Sequence, residues 1–256
     1  MTIKNLFSRL LLPLLFLVCY LLFLVATFPA AQLLPRLPLP AGMQLHDISG
    51  TIWQGRIGQL SWQRRAFHNV QWEVLFSRLW LGMPTVRLSL QDPETAMASA
   101  TVGWRGKWQI DDLMLQAPLS ILQQQLPYPL PAEASGTLHL NIDQLSIRDQ
   151  QCLALEGLAD WRQAALQTPA GELALNNPQA KLSCQNNKLE IAVRQDSPAL
   201  RSQAQLQLSW QGQYQIQASL YPGNEFPPGL RAALDWLGRP DSSGAIRIKN
   251  EGRWTN

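Results

Sequence analysis

The chain has 256 residues, a formal net charge of +3 and only 15% charged residues against 46% hydrophobic ones. A charge balance this weak, with no Lys/Arg run and no basic helix interleaved with aromatics, excludes a nucleic-acid-binding footprint. Much of the polarity comes instead from 27 glutamines, which suits strands, where Glu and Lys are depleted.

Residues 1–9 contain Lys4 and Arg9 and read as a cytoplasmic tail. Residues 10–28, LLLPLLFLVCYLLFLVATF, carry no charge. As a helix they reach about 28 Å, close to the hydrocarbon thickness of a bilayer. Pro13 falls in the first turn, where a missing N–H costs least. The next basic residue is Arg36, so the positive-inside rule keeps the N-terminus in the cytoplasm and sends the bulk across. A cleaved signal peptide is the rival reading. Its apolar stretch is usually about 7–15 residues, and a small residue is wanted where Phe28 stands; Ala30-Ala31 is a weaker site. The segment therefore reads as an uncleaved transmembrane helix of a bitopic protein in a bacterial inner membrane. Either reading puts residues 40–256 in the periplasm.

Residues 29–42 hold Pro29, Pro35, Pro38 and Pro40. The prolines exclude a helix and predict an extended spacer that holds the following domain off the bilayer. From residue 43 to 256 the pattern is mainly β: antiparallel twisted sheet or sheets, as a sandwich or an open groove, with two short helices. It forms one unit or two similar halves, 43–130 and 131–256. The halves are suggested by an echo: Ile48-Ser49-Gly50-Thr51-Ile52 resembles Ala134-Ser135-Gly136-Thr137-Leu138, and Gln-Leu-Ser follows at residues 59 and 144. The plain alternative is that S-G-T before an apolar residue is a common way to begin a strand.

Several periods are explicit. Val70, Trp72, Val74 and Phe76 share one strand face, as do Val86, Leu88 and Leu90. Residues 96–117 continue in strands broken near Gly106. Residues 118–127 predict a short helix with Leu119, Leu122 and Leu126 on one stripe, between two prolines. Residues 151–196 read as an antiparallel meander, with turns at Thr168-Pro169-Ala170-Gly171, Asn176-Asn177-Pro178 and Asn186-Asn187. Between 203 and 220 apolar residues or Gly occupy every even position and Gln or Ser every odd position up to 219. One strand of that length is too long. Parity demands an odd-length turn, predicted as Gln211-Gly212-Gln213 with Trp210 opposite Tyr214. Residues 229–238 predict a second helix, stopped by Gly238, and a last strand follows the turn at Asp241-Ser242-Ser243-Gly244.

Cys152 and Cys184 are the only cysteines beyond the membrane segment, which holds Cys19. In an oxidising compartment they predict a disulfide, the alternative being two buried thiols. It would contribute roughly 3–4 kcal/mol in the chain-entropy model. His46, His68 and His139 are dispersed and give no zinc spacing. Nucleophile elbow, S-x-x-K, H-E-x-x-H and P-loop are all missing from the sequence. Asp47, Asp111 and Asp112 propose no acid–base pair across a cleft. The chain reads as non-catalytic, with no catalytic, cofactor or metal residues. The ten tryptophans offer a sugar platform or, more plainly, core and interface filling.

The basic-flanked anchor at 10–28, the motif Ser49-Gly50-Thr51-Ile52-Trp53-Gln54-Gly55, the two cysteines, and the block Leu234-Asp235-Trp236-Leu237-Gly238-Arg239-Pro240-Asp241 with Gly244 and Gly252-Arg253 occur in a characteristic order. In this the chain resembles the type II secretion system protein N family, also called general secretion pathway protein N. The resemblance covers nearly the whole length. It implies an accessory, non-enzymatic subunit of the inner-membrane part of a machine that exports folded proteins from the periplasm across the outer membrane. The expected partners are other subunits of that machine, through strand edges or a contact region at Trp53, Trp62, Trp72 and Trp80. An alternative role is a periplasmic module binding lipid or another apolar ligand. It would apply if the apolar sheet face is an open groove rather than a core closed by the helices at 118–127 and 229–238.

Overall fold

A computed structural model describes residues 3–36, 39–40, 42–62, 65–92, 95–123 and 132–253, with side chains from residue 13 onward except at 122, 233, 235 and 236. The chain divides into two compact units, Met1–Val74 and Leu75–Asn256.

The first unit begins with helix α1 (Ile3–Ala26), 24 residues long. Every described side chain on it, from residue 13 to 26, is exposed. Among the described residues, no helix is long and apolar enough to cross a membrane. The proline segment is not wholly extended. Ala30–Leu33 forms one helical turn, α2, and Leu34–Arg36 a 3-10 turn. Pro29 and Pro35 each tolerate this because they sit at the start of a turn, where no N–H is required. Strands β1 (Met43–Gly50), β2 (Gln54–Trp62) and β3 (Arg65–Val74) then form an antiparallel sheet in chain order.

The second unit opens with α3 (Phe76–Leu79). Phe76 was expected on the face of β3 but lies in this turn and is exposed. The strand stops at Val74, whose N–H bonds to Trp53 O, while Leu75 N–H bonds to Thr85 O and turns the chain. Strands β4 (Thr85–Asp92), β5 (Ala96–Trp104) and β6 (Trp108–Pro118) follow as hairpins, the second turning at Gly106. Helix α4 (Leu119–Gln123) is the first turn of the predicted helix, and the rest of that prediction lies outside the described residues.

Strand β7 (Glu133–Arg148) and the 18-residue β8 (Gln151–Thr168) pair along most of their lengths. Asp149 and Gln150 join them with φ of 48° and 59°, the two left-handed residues of a type I′ hairpin. The meander prediction then needs correction. Strands β9 (Gly171–Asn176) and β10 (Gln179–Gln185) do not pair with each other. Both pair with β8, β9 along its C-terminal end and β10 along residues 156–160. Asn176, with φ of 64°, and Pro178, which cannot donate to a ladder, interrupt what would otherwise be one long strand. Pro178 O instead accepts from Trp161 N–H.

Strands β11 (Lys188–Asp196), β12 (Leu200–Leu208), β13 (Gln213–Pro222) and β14 (Ile246–Arg253) complete the sheet in chain order. The β12–β13 turn has the predicted odd length but is displaced by one residue. Leu208 pairs with Tyr214, so the loop is Trp210-Gln211-Gly212 inside the closing pair Ser209 and Gln213. Gly212 has φ of 79°. A three-residue hairpin loop places its left-handed residue last, and that requirement puts Gly212 at the end of the loop rather than in its middle. Trp210 consequently leaves the strand and is exposed.

Helix α5 (Pro228–Leu237) matches the predicted second helix and stops at Gly238, φ 142°. It packs over one end of the sheet, where Ala164, Leu173, Leu175, Ala199, Leu200 and Phe226 form the buried cluster, with Leu230 and Leu234 of α5 against it. Gln195 supports this end with a polar link. Its Nε2 donates to Leu175 O at 3.0 Å, tying β9 to β11 without a ladder.

Asp241 organises the turn into β14. Its Oδ1 accepts from Ser243 N–H at 2.8 Å and Ala245 N–H at 3.1 Å, and its Oδ2 lies 3.0 Å from Arg247 Nε. The hydrogen bond from the Ser243 hydroxyl is the largest cause holding this carboxyl below the usual range, followed by the Ser243 amide. A depressed folded-state pKa contributes stability above the unfolded value, about 3.9 for Asp, and loses it as pH falls through the folded one. Thermal melts of wild type and Asp241→Asn should therefore differ at pH 6 and converge as the pH is lowered below about 4. A gap that persists unchanged to pH 2 would contradict this.

Candidate functional site

Two features gather residues for which the fold alone gives no use. The first is the turn between β1 and β2, formed by residues 49–55. Gly50 takes φ of 93°, open to glycine at no steric cost. Thr51 N–H donates to Gln54 O, and Thr51 Oγ1 accepts from the N–H groups of Trp53 and Gln54 at 3.3 Å. Trp72 of β3 lies across Gly55, and its indole N–H donates to Ile52 O at 3.3 Å. A Cβ on Gly55 would collide with the Trp72 ring and with Ser49 O. Gly55→Ala should therefore cost about 1–3 kcal/mol by overpacking, read as a lower unfolding midpoint in denaturant.

The tip of this turn is attached to the end of α1. The indole N–H of Trp53 donates to Val25 O at 2.8 Å, Ile52 N–H donates to Phe28 O at 3.0 Å, and Pro29 bridges Thr51. The expectation of a spacer that separates helix from sheet is thus corrected. Hydrogen bonds join the two directly. Trp53 and Trp72 meet at Ile52, whereas Trp62 pairs with Met43 and Arg65 at the far end of the hairpin. Trp80, in the second unit, follows α3 and is 90% exposed, beside Leu81 at 71%.

The second feature is an apolar face in the second unit. Residues directly opposite in neighbouring strands point to the same side of a sheet. Starting at β4, Leu90 is opposite Ala98, then Leu115, Leu140, Ala159, Ala180, Val193, Ala204, Ala218 and Ile248. The row is apolar across ten strands, and all of its members are half-buried. A neighbouring row, from Leu113 through Ile142, Gly157, Leu182, Ile191 and Leu206 to Ile216, repeats this character. The opposite side of β12 and β13 carries Gln203, Gln205, Gln207, Gln215 and Gln217. The glutamine pattern therefore marks the side that faces water.

Cys152 and Cys184 form a disulfide with Cα atoms 5.7 Å apart. The β8–β10 register, extended by one pair, would set Cys184 opposite Leu155, three residues and about 10 Å from Cys152. A bulge at Leu153, where Ser146 pairs with Ala154 but Ile147 with Cys152, bends β8 and closes that distance. Cys184 sits in the row of Leu189, Leu208 and Tyr214, on the apolar side. The remaining residues singled out from sequence lie apart. His46 and His68 flank Gln59 in one row of the first unit, and His139 is on β7. Asp111 pairs with Arg78 at 3.4 Å. The cross-strand rows and the Trp53 link were missed in the sequence, because both depend on register rather than spacing.

Residues 41–249 match the family described as Type II secretion system (T2SS), protein N. The type II secretion system protein N of Aeromonas hydrophila is 33% identical over 96% of this chain and 99% of its own length. Its counterpart in Klebsiella pneumoniae is 32% identical over 96% and 97%, and that of Pectobacterium carotovorum subsp. carotovorum 30% identical over 90% and 91%. No solved structure matches.

Proposed function

The chain belongs to the type II secretion system protein N family, and on that footing we propose that it is an accessory subunit of a type II secretion system, anchored once in the inner membrane. In this reading residues 1–9 are cytoplasmic, α1 spans the bilayer, and the β units stand in the periplasm, where they support export of folded proteins across the outer membrane. The observation that carries it is identity along nearly the full length of both chains, anchor region included. The exposed apolar surface of α1 supports the span: Phe16 is 75% exposed, and Leu22 and Phe23 are each 63%. A helix apolar all round needs an apolar surrounding. The described residues of α1 are by themselves not long and apolar enough to cross, so the proposed span rests on the whole uncharged run of residues 10–28, which as a helix would reach about 28 Å.

The role is assembly rather than chemistry. Two kinds of surface suit it. Among the described residues β14 pairs only with β13, leaving an edge for strand addition. Trp80 with Leu81 offers an aromatic anchor of the type that dominates interface energetics. Photoreactive residues placed along 48–80 and 203–220, in intact envelopes, should crosslink to other subunits of the secretion machine. Their complete failure to do so would count against the assignment.

A second reading rests on the half-buried apolar rows. Among the described residues α5 lies against the buried cluster, and the members of the first apolar row are half-buried. Such a surface suits a lipid or another apolar ligand. Native mass spectrometry of the purified periplasmic part separates the two. Bound lipid favours the second, and a bare protein favours assembly alone.

A further inference from the structure

We propose that the turn of residues 49–55 is a clamp that holds the first β hairpin in the headgroup layer of the bilayer, at the point where α1 leaves it. The inference rests on the reading of α1 as the membrane anchor. A helix end leaves its last carbonyls without intrahelical partners, and within or beside hydrocarbon water cannot serve them. Here the protein serves them itself. Phe23 O accepts from Thr27 N–H and from Thr27 Oγ1 at 2.7 Å, and Val25 O from Phe28 N–H at 3.5 Å and from the Trp53 indole at 2.8 Å; two residues past the helix, Phe28 O accepts from Ile52 N–H at 3.0 Å.

The position along the helix fits the boundary. From residue 10, where the uncharged run begins, to residue 25 the helix rises about 23 Å, and the run ends at residue 28, close to the limit of a hydrocarbon layer about 30 Å thick. An indole belongs at that level, with its ring against apolar matter and its N–H on a polar acceptor. Phe28 at 37% and Leu33 at 40% are exposed apolar residues of the segment that follows α1. The Ser-Gly-Thr-Ile-Trp-Gln-Gly motif thereby acquires a purpose. Gly50 and Thr51 shape the turn, Gly55 admits Trp72, Trp72 holds Ile52, and Ile52 and Trp53 grip the helix. The hairpin is then joined to the membrane helix rigidly, so the helix sets the orientation of the hairpin. Thirteen residues of loop alone would leave that orientation free.

The test uses the full chain with Cys19→Ala and the native disulfide intact, in phosphatidylethanolamine–phosphatidylglycerol vesicles. Nitroxides are placed singly at Leu17→Cys, Ile52→Cys and Gln44→Cys, the last on an exposed site at the far end of the hairpin. Power saturation with oxygen and with a water-soluble nickel chelate reads their depth. The expected result is a deep label at 17, an aqueous label at 44, and a label at 52 near the phosphates, with nickel access several-fold below that at 44. Adding Trp53→Phe, which keeps the ring and removes the N–H, should raise nickel access at 52 while 17 stays deep. A label at 52 as open to nickel as that at 44, with 17 deep, would overturn the clamp and leave the anchor standing. Nickel access at 17 would overturn both.

Discussion

Replacing Phe226 by Ala should lower stability by about 3–5 kcal/mol, the range for truncating a buried aromatic. For a domain this size that is a loss of roughly 10 °C in melting temperature. Phe226 is 5% exposed and belongs to the one buried cluster described in the second unit, against residues of β8, β9, β12 and α5. The first apolar row elsewhere in that unit is half-buried, whereas this cluster joins six buried residues. β9 depends on it, since its ladder runs only along the last turns of β8 and its other side is held by the Gln195 amide. Hydrogen exchange should accordingly show β9 and α5 losing protection first in Phe226→Ala, before the β10–β13 ladders. A loss below about 1 kcal/mol would mean that the cluster does not carry the packing assigned to it.

The second large effect belongs to Cys152. The disulfide closes a loop of 32 residues, worth about 3.7 kcal/mol in the chain-entropy model. Cys152→Ser or Cys184→Ser should lower stability by most of that amount, and wild type under reductant should fall to the same level. Reductant should leave either variant unchanged. The loop contains most of β8, all of β9 and most of β10. Disulfides persist in oxidising compartments, as the proposed periplasmic location would provide. Equal stability of oxidised and reduced protein would contradict this account.

How far the sequence is legible depends on what each feature rests on. Strand periodicity is local, so β3, β4, β12 and β13 could be read directly, and α5 likewise from its stripe and Gly238. The cysteine pair needed only compartment and count. Other features are set by position in the fold. Phe76 continues the alternation of Trp72 and Val74, but Leu75 N–H is captured by Thr85 O and the strand ends. The β7–β8 hairpin turns on Asp149-Gln150, and Gln is not a residue that announces a left-handed turn. The two Ser-Gly-Thr segments share a positive φ at Gly50 and Gly136. One ends a strand before a hairpin turn and the other makes a bulge inside β7, so the echo lies in backbone conformation and not in connectivity. The site was legible as the Ser49–Gly55 motif and a list of tryptophans, but not as a contact. Trp53 proved important through a carbonyl 28 residues away, and no spacing rule could indicate that.

The central claim, an uncleaved anchor carrying an exported β domain, is tested most directly by membrane extraction combined with topology. The full chain, with alkaline phosphatase fused after residue 256 and a tag before residue 1, should stay in the membrane through alkaline carbonate. It should retain the N-terminal tag at full size and show phosphatase activity. Release by carbonate, loss of the tag to a shorter product, or an inactive C-terminal phosphatase would contradict it.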